Sequence, residues 1–241
     1  MAKAEQQIAD AVEVQFLRHL NDAFADRLEA VLLYGSYVHG SFRAKVSDVN
    51  VLVLLSEADP EALGRLSRSM GKLMRKYHIT PLILSSGEFA RSSDVFPMEY
   101  LDIRDRHRVL YGDDPTLVLS IDDKNLRHQI EHQMRGNLIS LRQLVLAAHG
   151  RKRMLERELS QWYGRVAAVF RGLLRLTEAD EVPSEPRALV SKVNEVLGLE
   201  PGPFMRLIAF REGRTEDADT LARDLLTRLG ELVRIVDAME R

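Results

Sequence analysis

The residues best suited to chemistry in this chain of 241 residues lie in one segment, between Gly35 and Val53. Gly35 and Ser36 follow a short apolar run, and a second glycine, Gly40, comes shortly after them. Where a strand opens into a turn of this composition, backbone N–H groups and a small hydroxyl are available to a phosphate. A bulkier residue than Gly35 would hold the phosphate away. We therefore predict a phosphate-binding loop at Gly35, Ser36 and Gly40.

Two polar residues stand at the start of the next apolar run. Asp48 and Asn50 are two positions apart. In a strand their side chains lie on one face, while Val49 and Val51 lie on the other. Carboxylate and amide oxygens are ligands for hard cations such as magnesium. We predict that Asp48 and Asn50 are metal ligands beside the phosphate.

This segment resembles the polymerase β nucleotidyltransferase superfamily, whose signature is Gly-Ser, a spacer, and then Ser-Asp-x-Asp on the next strand. The match covers residues 31 to 55 and includes Ser47 and Asp48. Its order and spacing make it more specific than a lone glycine-rich loop. The resemblance implies an α+β fold, with a small mixed sheet and flanking helices. A helical bundle domain after the sheet is similar to the arrangement in aminoglycoside nucleotidyltransferases.

The resemblance also implies a reaction and its ligands. In that family three carboxylates bind two magnesium ions, which carry a nucleoside triphosphate and activate a hydroxyl for attack on its α-phosphorus. Asp48 matches the first carboxylate and is the candidate catalytic residue. The second position holds Asn50, which offers one neutral oxygen. The strand expected to supply the third, residues 79 to 84, contains no acid, and the alternatives lie beyond it at Glu88, Asp94, Glu99 and Asp102. We therefore predict a degenerate metal motif that binds magnesium weakly or not at all.

Basic residues separate the glycine loop from Asp48. Arg43 and Lys45, with His39 and Ser47 beside them, would lie near a bound triphosphate, where cations offset phosphate charge. We predict nucleotide contacts from Arg43, Lys45 and Ser47. A solvated loop is the alternative interpretation.

A second charged cluster falls in a helical stretch after residue 122. It consists of Arg127, His128, Glu131, His132, Arg135 and Arg142. Arg127 and His132 fit the short Arg-x4-His pattern of the ribonuclease-type helical domains that accompany minimal nucleotidyltransferases. A pattern this short is expected by chance in a chain with 34 basic residues and seven histidines. A solvated helix face is therefore the favoured interpretation.

Apolar spacing gives the elements that must position these residues. It predicts an amphipathic helix between residues 4 and 30, strands at 31–34, 49–55 and 79–84, and a helix at 60–77, in the order αββαβ. From residue 122 onward it predicts three long helices and no strand. We predict an α/β domain at residues 1–115 and a C-terminal helical bundle domain at residues 116–241.

Composition excludes several classes of protein. The 34 basic and 36 acidic residues give a net charge of −2, so no bulk positive field favours nucleic acid. The chain has no cysteine, which excludes disulfides and thiolate metal sites, so any metal is held by oxygen or imidazole. The N-terminus lacks the apolar core of a signal peptide. We expect a cytoplasmic protein without a membrane partner, and we leave a protein partner or homo-oligomer open.

Two functional hypotheses follow. The first is a non-catalytic or weakly active nucleotide-binding or regulatory protein, in effect a pseudoenzyme. The alternative is an active magnesium-dependent nucleotidyltransferase that moves a nucleoside monophosphate from a nucleoside triphosphate to a hydroxyl of a small molecule or protein. Whether the protein is an enzyme stays open, because two of the three carboxylates implied by the resemblance are missing.

Overall fold

The computed structural model describes residues 3–38, 48–200 and 202–239. The chain divides into two compact units, Met1–Ile121 and Asp122–Arg241. The sequence places the domain boundary at residue 115, and the first compact unit ends at Ile121.

The described part of the first unit contains a four-stranded sheet and flanking helices. The strands are β1 (Leu28–Tyr34), β2 (Val49–Leu55), β3 (Ile79–Ser85) and β4 (His107–Gly112). The helices are α1 (Lys3–Ala9), α2 (Leu17–Phe24), α3 (Pro60–Tyr77), α4 (Ser86–Arg91) and α5 (Pro97–Asp105). A π-helical stretch and three 3₁₀ turns complete it, at Asp10–Phe16, Ala25–Arg27, Gly35–Tyr37 and Pro115–Val118.

The sheet is mixed, and its spatial order is β3-β2-β1-β4. Strand β1 is antiparallel to both β2 and β4, whereas β2 and β3 are parallel. Parallel neighbours need a crossover connection, and α3 supplies it.

Asp59 caps the start of α3 by accepting a hydrogen bond of 2.8 Å from the backbone N–H of Glu61. Pro60 occupies the first helical position, where its missing N–H costs nothing.

The two outer strands carry residues that are unusual in a sheet interior. Strand β3 contains Pro81, which is paired in register with Val51 of β2. Strand β4 contains Arg108, whose guanidinium forms an ion pair of 2.5 Å with Glu13.

Both faces of the sheet are covered by apolar packing. Val49 and Val51 are fully buried in the cluster that includes side chains of α2 and α3. Leu52 and Leu54 belong to a second cluster with Phe89 of α4 and with α5. Each fully buried side chain of this size stabilises the fold by about 1.5–3 kcal/mol. The central strand β2 is therefore packed on both faces, and this packing fixes the position of the residues at its start.

Two predicted elements of this unit need correction. The predicted order αββαβ lacks β4, which the structure shows as a short outer strand with mostly exposed residues. Such a strand has no buried run to reveal it. The N-terminal helix was expected to extend to residue 30, but α2 ends at Phe24 and residues from Leu28 onward belong to β1.

The described residues of the second unit form helices without strands, as the sequence predicts. The helices are α6 (Asp123–Ala147), α7 (Lys152–Leu176), α8 (Pro186–Val196), α9 (Pro203–Arg211) and α10 (Ala218–Ala238). Helix α7 packs against the other four, and the rings of Phe170 and Phe204 meet edge to face at 4.8 Å. Among the described helices of the chain, none combines the length and apolar character needed to cross a bilayer.

Candidate phosphate and metal site

Gly35 makes the turn at the end of β1. It has a φ of +77°, a conformation that glycine adopts without steric cost. The backbone N–H of Val38 donates to the carbonyl of Gly35 at 3.1 Å, which closes the turn. A Cβ atom on Gly35 would lie only 2.7 Å from Nδ2 of Asn50. The backbone therefore favours glycine here, and a larger residue would displace the Asn50 amide.

Four residues form a row across the sheet at the level of Asn50. Tyr34 is paired in register with Asn50 on one side and with His107 on the other, and Asn50 is paired with Thr80 of β3. Residues paired on neighbouring strands point to the same face. Thr80 therefore holds the position on β3 beside Asn50, on the strand where the resemblance implies a third acid. Burial raises the pKa of Tyr34, so its hydroxyl stays protonated.

Asp48 lies just before β2 and is joined there by a histidine that the sequence did not suggest. Oδ1 of Asp48 is 3.9 Å from Nδ1 of His78, and the two side chains are 59% and 52% exposed. His78 ends α3 in a left-handed conformation, with a φ of 52°. Its carbonyl accepts a hydrogen bond of 2.8 Å from the backbone N–H of Val49. This bond holds the end of α3 beside the start of β2.

Glu88, one of the alternative third acids, lies at the opposite end of the sheet. Strand β3 runs parallel to β2 for seven residues before α4 begins, which is about 20 Å of strand. Glu88 is also engaged there, because its carboxylate accepts hydrogen bonds from the backbone N–H of Ser85 at 2.7 Å and from its hydroxyl at 2.8 Å. These bonds lower the pKa of Glu88.

The residues that the structure describes at this edge do not fit a two-magnesium site. In the part of the chain that the structure describes, no three His, Asp or Glu side chains come together to hold a metal ion. Asp48 is the carboxylate at the predicted site, and the amide nitrogen of Asn50 faces Gly35. Asp94, Glu99 and Asp102 join no such cluster. Gly40, Arg43, Lys45 and Ser47, together with His39, lie outside the described residues, so their roles stay predictions.

His107 fixes the start of β4 at the end of the row. Its Nε2 lies 3.0 Å from Oδ2 of Asp114, and its Nδ1 lies 3.0 Å from the carbonyl of Ile103. Asp114 also accepts hydrogen bonds from the backbone and the hydroxyl of Thr116, at 2.9 and 2.8 Å. Burial acts to raise the pKa of Asp114, but the bonds from Thr116 and His107 outweigh it and lower that pKa. Both ring nitrogens of His107 are thus engaged in contacts that hold the start of β4.

Three members of the charged cluster of the second unit, Arg127, Glu131 and Arg135, form an ion-pair network. Arg127 is 8% exposed, and its guanidinium lies 3.3 Å from Glu131. Arg135 contacts Glu131 at 2.8 Å within α6 and Asp237 of α10 at 2.8 Å. The hydrogen bond from Arg135 lowers the pKa of Glu131. These contacts stabilise the packing of two helices, and they favour neither a nuclease nor a nucleotide site at Arg127.

Two residues at the candidate-site edge of the sheet, beside Asp48 and Asn50, were missed by sequence reasoning. Thr80 and His78 acquire their positions only through the parallel pairing of β2 with β3. The available signal was symmetry, because Asp48 and His78 each immediately precede an apolar strand.

Comparison with known proteins supports the fold. No protein-family model and no curated protein matches the sequence. Among solved structures, the crystal structure of spectinomycin adenyltransferase AAD(9) from Enterococcus faecialis with ATP and spectinomycin is similar. Its TM-score is 0.53 at 13% sequence identity, and the match covers 91% of this chain and 98% of that chain. The chain therefore has a nucleotidyltransferase fold, a mixed sheet with flanking helices followed by a helical region, and the predicted fold class is confirmed.

Proposed function

We propose that this protein binds a nucleoside triphosphate at the Gly35–Asp48 edge of the sheet and is non-catalytic or weakly active, with a regulatory role. The observation that carries the proposal is the pair Asn50 and Thr80. These two neutral residues are paired on neighbouring strands, and in the proposed site they take positions where two metal ions would need acids. Asp48 alone is a poor magnesium site, so bound magnesium is weak or absent.

Retention of the phosphate loop supports nucleotide binding. Gly35 keeps the positive φ that opens the turn, and Ser36 follows it in the 3₁₀ turn. In the proposed complex their backbone N–H groups and the Ser36 hydroxyl contact phosphate, together with Gly40, Arg43, Lys45 and Ser47 of the following segment. The structural neighbour AAD(9) was crystallised with ATP, which makes a nucleotide the first ligand to test.

The alternative is an active magnesium-dependent nucleotidyltransferase with Asp48 as catalytic residue and metal ligand. Asp48 favours it, because this carboxylate is exposed at the correct edge of the sheet. An acceptor hydroxyl on a small molecule or a protein would then be required. Nucleic acid and membranes are not proposed as partners, a protein partner or second copy stays open, and the expected cytoplasmic location stays a prediction.

Thermal unfolding with nucleoside triphosphates, with magnesium or with EDTA, tests the proposal. A ligand that binds only the folded protein raises the midpoint. We expect a rise with a triphosphate that does not require magnesium, its loss in Ser36→Ala, and no pyrophosphate release. A magnesium-dependent rise together with pyrophosphate release that disappears in Asp48→Ala would establish the enzyme instead. No rise with any triphosphate would refute nucleotide binding.

Rebuilding the acids tests the reason for inactivity. The double variant Asn50→Asp/Thr80→Asp places three carboxylates at one edge, and we expect calcium or magnesium to raise its unfolding midpoint. The matched control is Asn50→Asp/Thr227→Asp, because Thr227 is exposed on α10 of the other unit. Equal responses of the two variants would show that Thr80 does not stand at the third position.

A further inference from the structure

We infer that Lys76 and His78, at the C-terminal end of α3, contact the polyphosphate of the bound nucleotide and supply the positive interactions that a metal ion would otherwise provide. The inference rests on the proposed function. It assigns a ligand-contacting role to two residues outside the phosphate loop.

The fold places this end of α3 at the edge of the candidate site. His78 directly precedes β3, Asp48 directly precedes β2, and the two strands start in register at Val49 and Ile79. The bond from the Val49 N–H to the His78 carbonyl, at 2.8 Å, fixes the junction. Because β1 is antiparallel to β2, Gly35 follows β1 at this same end.

Both side chains are exposed to solvent. Nδ1 of His78 is 3.9 Å from Asp48 Oδ1, too far for a hydrogen bond, and half of the ring is exposed. The ammonium of Lys76 lies 4.8 Å from the centre of the Tyr77 ring, and Tyr77 packs against the core. No ion pair with a described carboxylate engages Lys76. Arg75, by contrast, lies back over Gly71, with Nη1 3.3 Å from where a Cβ of Gly71 would be.

Two of the neighbouring residues suit phosphate without metal, and they leave Asp48 as the carboxylate whose charge Lys76 and His78 would have to offset. Asn50 and Thr80 carry N–H and O–H donors and no charge, so they do not repel phosphate as two carboxylates would. An ammonium and an imidazole N–H then provide directional donors to anionic oxygens. The structural alternative is that Lys76 only stabilises the negative end of the α3 dipole, in which case it affects stability and not binding.

Titration calorimetry in EDTA with ATP and with inorganic tripolyphosphate tests the inference. We expect Lys76→Ala and His78→Ala each to weaken both ligands about tenfold, the effect of losing one charged hydrogen bond. His78→Gln, which retains an N–H donor, should restore part of the loss. The matched control is Arg68→Ala, an exposed cation two turns earlier on α3, which should change affinity by less than about twofold.

The outcomes separate this inference from the proposed function. If wild type binds ATP and the Lys76 and His78 variants bind it equally well, nucleotide binding stands and the inference is overturned. If wild type binds tripolyphosphate but not ATP, and the variants lose it, the phosphate contacts stand and the nucleotide proposal fails. If wild type binds neither ligand in EDTA, the inference is overturned, and binding of ATP with magnesium decides the proposed function.

Discussion

The two ends of the sheet use the same kinds of residue for different purposes. At the far end, Gly112 has a φ of +73° and Glu88 is held by Ser85. At the near end, Gly35 has a φ of +77° and Asp48 is exposed. A Cβ on Gly112 would meet backbone, the carbonyl of Glu29 at 1.9 Å, whereas a Cβ on Gly35 would meet the tip of a side chain. The far end is closed by its own contacts, and the near end leaves its polar groups for a ligand.

The largest expected effect is at the far end. Gly112→Ala should lower the free energy of unfolding by about 3 kcal/mol or more, because left-handed strain adds to a clash with rigid backbone. Denaturant unfolding measures it. The control is Gly150→Ala, with a φ of +70° and nothing within 4 Å of the new Cβ, which should cost only about 1 kcal/mol. Equal costs would show that the Glu29 contact is not limiting.

Gly35→Ala should lower the free energy of unfolding by less than Gly112→Ala does. Unlike Gly112→Ala, it should also weaken nucleotide binding. Its expected cost is about 2 kcal/mol, since the Asn50 amide can rotate away. In a double-mutant cycle with Asn50→Ala, the second substitution should recover about 0.5–1 kcal/mol. Strict additivity in denaturant unfolding would mean that the amide does not constrain Gly35. Nucleotide affinity should fall in Gly35→Ala even when the protein is fully folded.

Ser85→Ala probes the closed end more gently. It removes the hydroxyl that accepts from the Glu88 N–H at 3.2 Å and donates to the Glu88 carboxylate, and we expect a loss of about 1 kcal/mol. Ser69→Ala in α3 is the control, because that hydroxyl donates only to the Leu66 carbonyl. Nucleotide affinity should not change in either variant. A loss of binding in Ser85→Ala would contradict the separation between the two ends.

The smallest effect is a pH dependence at the closed end. The hydrogen bonds from Ser85 lower the pKa of Glu88, so its contribution to stability is complete above the ordinary carboxyl pKa of about 4. That contribution is lost as the pH falls through the lowered pKa of the folded state. Glu88→Gln should therefore lose less stability than wild type between neutral and strongly acidic pH. Parallel curves of unfolding free energy against pH would contradict this assignment.

Sequence reasoning succeeded where one buried pattern determines one element. Strands β1 to β3 and the three long helices have apolar runs or stripes that the core requires, and these were predicted. Strand β4 was not, because an outer strand with exposed residues lacks that signature. The helix before β1 was extended too far, since apolar residues continue from α2 into Leu28 and the strand after it.

The features of the candidate site also fall into those that the sequence predicts and those that it does not. The substitution at Asn50 and the absence of acid in β3 are visible in the sequence, because spacing alone defines them. The pairing of Asn50 with Thr80 and the approach of His78 to Asp48 depend on strand register. Register arises from packing on both faces of β2, which no short motif encodes. The opposite location of Glu88 also follows only from the parallel direction of β3.

The residues on the outer strands bear on how copies of this chain can associate. A proline has no backbone N–H to donate, so Pro81 interrupts the outer edge of β3 as a template for another strand. On the opposite edge, Arg108 and its ion pair with Glu13 place charge along β4, which also disfavours strand addition. Both edges of the sheet are thus protected against continuous intermolecular β-pairing. A homo-oligomer of this chain is therefore not expected to form by edge-to-edge pairing of β3 or β4.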